Sequence, residues 1–147
     1  MIIENKEFSN LSLKELYSIL KIRQEVFIIE QKCNYLDCDN LDLNAIHVSI
    51  KEDLKIIAYL RIIKPNVISE NVVLGRILVD NNKRKKNIGK KIISYAIKLI
   101  KEKYPEKSME MSAQSYLIDF YNQFEFKVYG KEYLEDEIPH IKMIKKI

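Results

Sequence analysis

The stretch VVLGRILVDNNKRKKNIGKK, residues 72–91, contains the pattern that most constrains the fold. Its first eight residues are mainly β-branched and other apolar residues, which is typical of a central strand buried on both faces. From Ile88 onward, apolar residues recur at helical spacing as far as Ile100, and Pro105 then disfavours further helix. The sequence therefore predicts a strand at 72–79, a polar loop and a long helix.

The flanking sequence predicts a mixed sheet covered by helices. Ser12 and Glu15 have the spacing of a capping box, and the apolar residues that follow predict a helix from Leu13 to Phe27. Other strands are predicted at residues 2–8, 47–51, 55–63, 109–113, 126–134 and 140–144, with a short helix at 116–124. This order predicts one domain, residues 1–147, of the α/β (α+β) class, with a mixed, mostly antiparallel central sheet flanked by helices.

The composition is that of an ordinary globular protein, with 47% hydrophobic and 31% charged residues. No apolar run approaches the roughly 20 residues that a bilayer-spanning helix needs. Residues 1–6 lack the basic and apolar regions of a secretory signal. We therefore expect a cytoplasmic protein with no membrane partner.

Two groups of potential metal ligands lie between residues 33 and 42. Cys33 and Cys38 have no second cysteine or histidine pair that could complete a zinc site. Asp37, Asp39 and Asp42 lack the central glycine and terminal glutamate of a calcium-binding EF-hand loop. No metal site is expected, and the aspartates are interpreted as turn residues.

The loop before the long helix is strongly basic, because six of the nine residues from 83 to 91 are Lys or Arg. The first N–H groups of a helix have no intrahelical acceptor and carry the positive end of the helix dipole, so they stabilise a bound anion. Asn87 can adopt the left-handed conformation that a tight turn needs, and Gly89 would let a ligand approach the backbone. These features predict a phosphate-binding loop.

This loop resembles the pyrophosphate-binding motif of the GNAT superfamily of N-acetyltransferases, Gln/Arg-x-x-Gly-x-Gly/Ala. Arg84, Asn87 and Gly89 fall on its three fixed positions, with Asn87 in place of the first glycine. Segments 26–39, 75–79 and 138–143 are similar to the ElaA-type subgroup of the same superfamily.

A second resemblance lies in residues 112–126, which are similar to the GNAT motif that ends in Phe-Tyr-x-x-x-Gly-Phe. Phe120, Tyr121 and Phe126 match this motif, and Glu125 replaces its glycine. The family's matching tyrosine often protonates the departing thiolate of coenzyme A. A phenol with an ordinary pKa of about 10 is protonated at neutral pH and could do so. The resemblance therefore implies a catalytic role for Tyr121.

The GNAT resemblance implies an enzyme that transfers an acetyl group from acetyl-coenzyme A (acetyl-CoA), as cosubstrate, to a primary amine by direct attack. It implies a sheet splayed open beside strand 72–79, where the pantetheine arm of the cosubstrate would lie as an added strand. The residues expected to contact acetyl-CoA are Ile77, Leu78, Val79, Arg84, Lys85, Lys86, Asn87, Ile88, Gly89 and Lys90.

The acceptor amine must lose a proton before it attacks, because a lysine-type amine has a pKa of about 10.4. The candidates for the acceptor pocket, and for taking this proton, are Glu30, His47 and His140. The sequence leaves open whether the acceptor is a small amine, an amino acid or a protein terminus. It also leaves open whether the chain forms a homodimer.

Two alternative functions compete with acetyl transfer. The substituted glycine at Asn87 is compatible with a catalytically idle module that binds coenzyme A as a sensor. The basic segment 83–91 would also suit a nucleic-acid-binding protein, but it contains no aromatic residues on which bases could stack. The predicted function is therefore an N-acetyltransferase.

Overall fold

One sheet of eight strands runs through the structure, a computed structural model that describes residues 1–147. The strands lie in the order β1-β2-β3-β4-β5-β8-β6, and β7 pairs with β8. Their bounds are β1 (Ile2–Glu7), β2 (Ala45–Glu52), β3 (Lys55–Ile63), β4 (Val72–Val79), β5 (Met109–Gln114), β6 (Lys127–Val128), β7 (Tyr133–Glu135) and β8 (Ile138–Lys145). Only β4 and β5 pair in parallel, which confirms the predicted mixed, mostly antiparallel sheet.

Three α-helices accompany the sheet: α1 (Leu13–Arg23), α2 (Ile88–Lys103) and α3 (Ile118–Asn122). The capping box at the start of α1 is confirmed, because Ser12 Oγ accepts from the Glu15 N–H and Glu15 Oε1 accepts from the Ser12 N–H. Short 3₁₀ turns lie at Phe8–Asn10, Leu41–Asn44, Asn81–Lys83 and Ser115–Leu117.

The predicted α-helix to Phe27 ends earlier, at Arg23, and continues as a π-helix over Gln24–Glu30. In this π-helical segment Val26 and Phe27 are buried in the core beneath α1, while Glu30 is exposed near its end. The helical spacing of the apolar residues predicted that the chain remains helical to Phe27, but this spacing does not distinguish an α-helical turn from the wider π-helical turn.

The strand predicted at 126–134 is wrong. The chain forms only the two-residue β6 and the three-residue β7 there, and Gly130 lies between them with a φ of 90°. A left-handed backbone cannot continue a strand, so the β-prone side chains are divided into two short pairings with β8.

Strand β4 has the predicted bounds, and it contributes to packing on both sides of the sheet. Val72, Leu74 and Leu78 are buried, and the residues between them are half-buried. Val72 and Leu74 pack in the hydrophobic cluster that includes α2, whereas Leu78 packs in the cluster that includes α1.

Strands β4 and β5 separate after a short parallel pairing. The register pairs Val72 with Met109 and ends with Leu74 opposite Met111. Beyond that point β4 continues against β3, and β5 continues against β8. The divergence opens a wedge-shaped cleft in the sheet, as the resemblance implies.

Two hydrophobic clusters hold the layers together. The larger cluster packs α2 and Phe126 against the sheet, with Ile92, Ile93 and Ala96 fully buried, and it confirms the predicted apolar stripe of α2. In the smaller cluster, Ile19 and Ile22 of α1 pack against side chains of the sheet, among them Tyr59 and Leu78. No helix combines the length and the apolar character that crossing a membrane would require.

Candidate active site

The cleft between β4 and β5 has a volume of about 500 Å³. Its walls come from the π-helical segment, the loop that follows it, β4, β5, the start of the α3 region and the β7–β8 turn. Six residues predicted to form the site line it: Glu30, Ile77, Leu78, Arg84, Tyr121 and His140. The other predicted residues do not line this cleft: His47, Val79 and the loop residues 85–90.

A β-bulge lies on the β4 wall of the cleft. Arg61 pairs with Gly75 and Tyr59 with Leu78, so β4 has one residue more than β3 over this interval. Arg76 has a φ of 51°, in the left-handed region that non-glycine residues seldom adopt. A bulge interrupts the ladder and leaves a residue unpaired. This bulge was not predicted, although Gly75 within a strand pattern is a signal for it.

The strained Arg76 is held by its side chain. Its Nε donates to Asp37 Oδ1 at 2.7 Å, and its Nη2 donates to the Asp37 carbonyl oxygen at 3.1 Å. The guanidinium also lies over the ring of Tyr35, 5.4 Å from the centroid. These contacts join the bulge to the loop on the opposite wall.

Asp37 belongs to a buried network with two further arginines. Arg23, whose side chain is fully buried, donates to Asp37 Oδ2 at 2.9 Å and to Asp42 Oδ1 at 2.7 Å. Arg61 donates twice to Asp39, at 2.6 and 2.8 Å, and once to Asp42 Oδ1 at 3.0 Å. The interpretation of the three aspartates as turn residues is therefore incomplete, because each carboxylate binds arginines.

His47 belongs to the same network rather than to the acceptor pocket. Its Nε2 lies 2.9 Å from the Asp42 carbonyl oxygen, and its Nδ1 lies 2.7 Å from the Tyr59 hydroxyl. Burial lowers the pKa of His47, against the opposing effect of Asp42. The His47 imidazole is therefore buried, hydrogen-bonded through both nitrogens and outside the cleft.

The phosphate-binding loop predicted from the sequence leads from β4 to α2. Lys85 and Asn87 both have left-handed φ values, 64° and 60°, which bears out the conformation expected of Asn87. The Asn87 side chain does not cap the helix, and a backbone bond runs from Lys91 N–H to the Asn87 carbonyl. The N–H groups of the first turn, residues 88–90, therefore precede that bond and are available to a ligand.

The side chains of this loop differ in their surroundings. Arg84 Nε donates to the Val79 carbonyl at 3.0 Å, and its Nη1 contacts Glu30 Oε2 at 2.6 Å. Lys85 and Lys86 are exposed, whereas Ile88 is buried. Arg84 is thus fixed beside the cleft, and Glu30 is its partner.

Gly89 faces the protein interior. A Cβ atom added there would lie 3.5 Å from Phe120 Cζ and 3.8 Å from Val79 Cγ2. Both distances are those of ordinary van der Waals contact, so the packing of α2 against α3 does not by itself require a glycine here. The role of Gly89 in the approach of a ligand stays a prediction.

Tyr121 lies on α3 at the inner end of the cleft and is 5% exposed. Its ring packs edge-on against Phe120 and Phe126, with centroids 5.2 and 6.4 Å away. Burial, and then the neighbouring Tyr116, raises the pKa of the Tyr121 phenol, and no hydrogen bond contributes to this shift. The phenol is protonated at neutral pH.

His140 lies on β8 in the wall opposite the bulge and is 8% exposed. Its Nδ1 lies 2.7 Å from the Ile138 carbonyl oxygen, and its Nε2 lies 3.2 Å from Glu135 Oε2. The Ser112 hydroxyl donates to the same Glu135 oxygen at 3.4 Å. Of the two histidines, His140 alone lines the cleft.

Residues 26–147 match the family of acetyltransferase (GNAT) domains. The chain is a GNAT protein.

Within the GNAT family the chain is similar to proteins of the ElaA and UPF0039 type. It is 36% identical to a UPF0039 protein of Schizosaccharomyces pombe, over 94% of this chain and 92% of that protein. It is 35% identical to Escherichia coli ElaA, over 95% and 92% respectively. The crystal structure of E. coli ElaA superimposes with a TM-score of 0.94 over 99% of this chain and 100% of that chain, at 33% identity.

A Pseudomonas aeruginosa protein described as an acyl-CoA N-acyltransferase is equally similar in structure. Its crystal structure superimposes with a TM-score of 0.95 at 34% identity, and the superposition covers 99% of each chain. The GNAT fold of this chain is therefore shared along its whole length with proteins of clear sequence similarity.

The buried network should contribute to the stability of this GNAT chain. Asp42→Asn removes one of the two carboxylates that Arg23 and Arg61 each bind, and leaving buried charged donors partly unsatisfied costs about 1–3 kcal/mol. We expect urea unfolding to show a loss of that size. The matched control is Asp119→Asn, at an exposed position of α3, which should change the free energy of unfolding by less than about 0.5 kcal/mol. Equal stabilities of the two variants would contradict this assignment.

The same network predicts acid sensitivity. Burial opposes the ionisation of Asp39, but the hydrogen bonds and charge of Arg61 outweigh it and lower its pKa from 3.8 to about 2. Because the folded carboxylate binds protons less tightly than the unfolded one, its contribution is complete above about pH 4 and is lost as the pH falls to about 2. Urea unfolding across this range should show a shallower pH dependence for Asp39→Asn than for the wild type. Parallel curves would refute the prediction.

Proposed function

We propose that this protein is an N-acetyltransferase that transfers the acetyl group of acetyl-CoA to a primary amine by direct attack. The observation that carries the proposal is the connection of two features: the bulged half of β4 borders the cleft, and the loop 80–87 connects it to the open N-terminus of α2. A ligand with an extended amide arm and a pyrophosphate needs these two features in this order. The description of the P. aeruginosa relative as an acyl-CoA N-acyltransferase supports the same reaction class.

The phosphate end of the cosubstrate would bind at the start of α2. Its pyrophosphate would accept hydrogen bonds from the N–H groups of residues 88–90, with Lys85 and Lys86 supplying positive charge. Arg84 would add a guanidinium whose orientation is held by Glu30. Glu30 thus positions the cofactor loop in this proposal and does not take the amine proton.

The pantetheine arm would extend along Ile77, Leu78 and Val79. The wedge leaves this part of β4 without a partner strand on the β5 side, so amide groups of a ligand can pair with its backbone. The acetyl group would then reach the bulge at Arg76, where an unpaired backbone N–H can polarise the thioester carbonyl.

Acetyl transfer would require one proton donor at the sulfur. Tyr121 is protonated, buried and without a hydrogen bond that fixes its hydroxyl elsewhere. The raised pKa makes the Tyr121 phenol a weaker acid than a solvated phenol. The same burial, however, raises the proton affinity of the departing thiolate, so proton transfer becomes favourable as charge develops on sulfur.

A nucleic-acid-binding role is less well supported. Two cations of the basic segment are neutralised by side chains from elsewhere in the fold, since Lys83 binds Glu52 at 2.6 Å and Arg84 binds Glu30 at 2.6 Å. The remaining lysines then suit a compact anion at a helix end better than an extended phosphate backbone.

A matched pair of substitutions at Asn87 tests the phosphate loop. Asn87→Gly keeps the left-handed turn at no steric cost, whereas Asn87→Val places a β-branched residue at a φ of 60° and strains it by about 1–2 kcal/mol. We expect calorimetry to give acetyl-CoA affinity near that of the wild type for the glycine variant and roughly 10-fold weaker for the valine variant. Circular dichroism would verify that both fold. Equal affinities would rule out this turn as the cradle.

Tyr121→Phe tests the proton donor. The ring and its edge-on contacts remain, so acetyl-CoA binding should be unchanged, while kcat should fall on the order of 10²-fold when chemistry is rate-limiting. The matched control is Tyr17→Phe, at a tyrosine of α1 that is 73% exposed, which should retain full activity. An unchanged kcat for the Tyr121 variant would leave this tyrosine as a packing residue only.

A further inference from the structure

The imidazole of His140 is fixed in one tautomer when neutral. The Ile138 carbonyl oxygen can only accept, so His140 Nδ1 carries the hydrogen in the 2.7 Å bond between them. The lone pair of the neutral ring is therefore on Nε2. The ring is held further by Tyr133, which stacks with it at a centroid distance of 6.3 Å. Nε2 is the atom with which this histidine can accept a proton.

That nitrogen faces another acceptor. Glu135 Oε2 lies 3.2 Å from His140 Nε2, and neither atom carries a hydrogen when the imidazole is neutral and the carboxylate is ionised. A donor that serves both atoms, or a proton taken up between them, stabilises two facing acceptors. An alkylammonium group, with three N–H donors, meets this requirement.

We propose that His140 and Glu135 bind the ammonium group of the acceptor and that His140 Nε2 takes its proton. This inference rests on the proposed acetyl transfer to a primary amine, and it assigns the residues that bind the amine as an alkylammonium ion and take its proton. Glu135 stabilises the imidazolium that results, through a charge-assisted hydrogen bond. Its side chain is 52% exposed, so it also connects the buried ring with solvent.

The surrounding charges favour a cation at this end of the cleft. The two guanidiniums that line the cleft are engaged by carboxylates, Arg76 by Asp37 and Arg84 by Glu30. Asp136, in the β7–β8 turn, lines the cleft without an ion-pair partner. The ionisable groups around His140 on the adjacent elements are Cys33, Glu110, Tyr133, Glu135, Asp136 and Lys142.

Two of these groups are unsuited to accept the proton. Burial, and then the charges of Asp136 and Glu137, raises the pKa of the Cys33 thiol, so this group stays protonated. The Lys142 ammonium is bound by Glu110 at 3.3 Å.

The ammonium gives one proton to His140 Nε2, and the freed nitrogen lone pair forms the bond to the thioester carbonyl carbon. The carbon–sulfur bond breaks, its electron pair leaves with sulfur, and sulfur takes a proton from Tyr121. The second proton of the nitrogen restores the tyrosine through water, and His140 releases its proton to solvent. Each turnover therefore yields one amide, one thiol and one proton.

The test measures kcat/KM for transfer from acetyl-CoA to 1,4-diaminobutane, n-butylamine and 4-aminobutanoate between about pH 6 and 10. His140→Gln should lower activity at pH 7 on the order of 10²-fold or more, the contribution of a general base. This deficit should shrink as the pH approaches about 10.4, because more amine then arrives neutral. Glu135→Gln should lose about 10-fold, since it keeps a hydrogen bond but not the charge.

The matched control is Glu132→Gln, at an exposed position just before β7, which should retain wild-type rates. Among the acceptors, 4-aminobutanoate should be the poorest, because its carboxylate meets the negative end of the cleft. Acetyl-CoA binding, measured by calorimetry, should be the same in all variants.

The outcomes separate the two proposals. Failure of the wild type to bind acetyl-CoA would overturn the proposed function. Intact acetyl-CoA binding without transfer to any of the three amines would overturn the ammonium site. A loss in His140→Gln that is constant across the pH range would also overturn it, because a purely structural role predicts a pH-independent deficit.

Discussion

The carboxylate of Asp42 is shared by the guanidiniums of Arg23 and Arg61, which are almost completely buried. A buried guanidinium without a counter-charge is strongly destabilising. If the segment that carries Asp42 detached, the buried guanidiniums of Arg23 and Arg61 would lose a carboxylate that both of them bind. Because α1 and β3 supply the arginines and the loop after the π-helical segment supplies the aspartates, this arrangement ties three parts of the chain together. The geometry of the cleft depends on it.

The network reaches the cleft through Arg76. Its left-handed backbone is unfavourable by itself and persists only where the surroundings determine it. Asp37 binds both Arg23 and Arg76, so the buried charge pair and the strained bulge share one carboxylate. The ion-pair network thereby stabilises the unpaired bulge of β4. This bulge is the surface that a thioester would approach.

The two ends of the cleft would bind their ligands through different interactions. At the α2 end, binding strength would come from backbone N–H groups and a helix dipole, which are insensitive to the identity of most side chains. At the β8 end, recognition would depend on a few side chains, chiefly His140 and Glu135, whose geometry is set by the hairpin of β7 and β8. The acceptor end can therefore diverge in sequence while the cosubstrate end keeps the same backbone arrangement.

The sequence by itself determined the elements whose signals are local. The strand at 72–79, the start of α2 at Ile88 and the left-handed turn at Asn87 were all predictable, because each depends on periodicity, capping or the conformational preference of a single residue. The resemblance added the splayed sheet and the candidate Tyr121. A large part of the fold was accessible in this way.

Only the tertiary structure decided what depends on distant partners. Asp37 and Arg76 are 39 residues apart in the chain, and Arg61 and Asp39 are 22 apart, so no local pattern pairs them. For the same reason the sequence could not assign His47 to the buried network and His140 to the cleft: both histidines precede or follow β-prone residues, and only the packing of strands determines which face is open. Local preferences determine the helices and strands, whereas ion pairs between distant residues determine the geometry of the site.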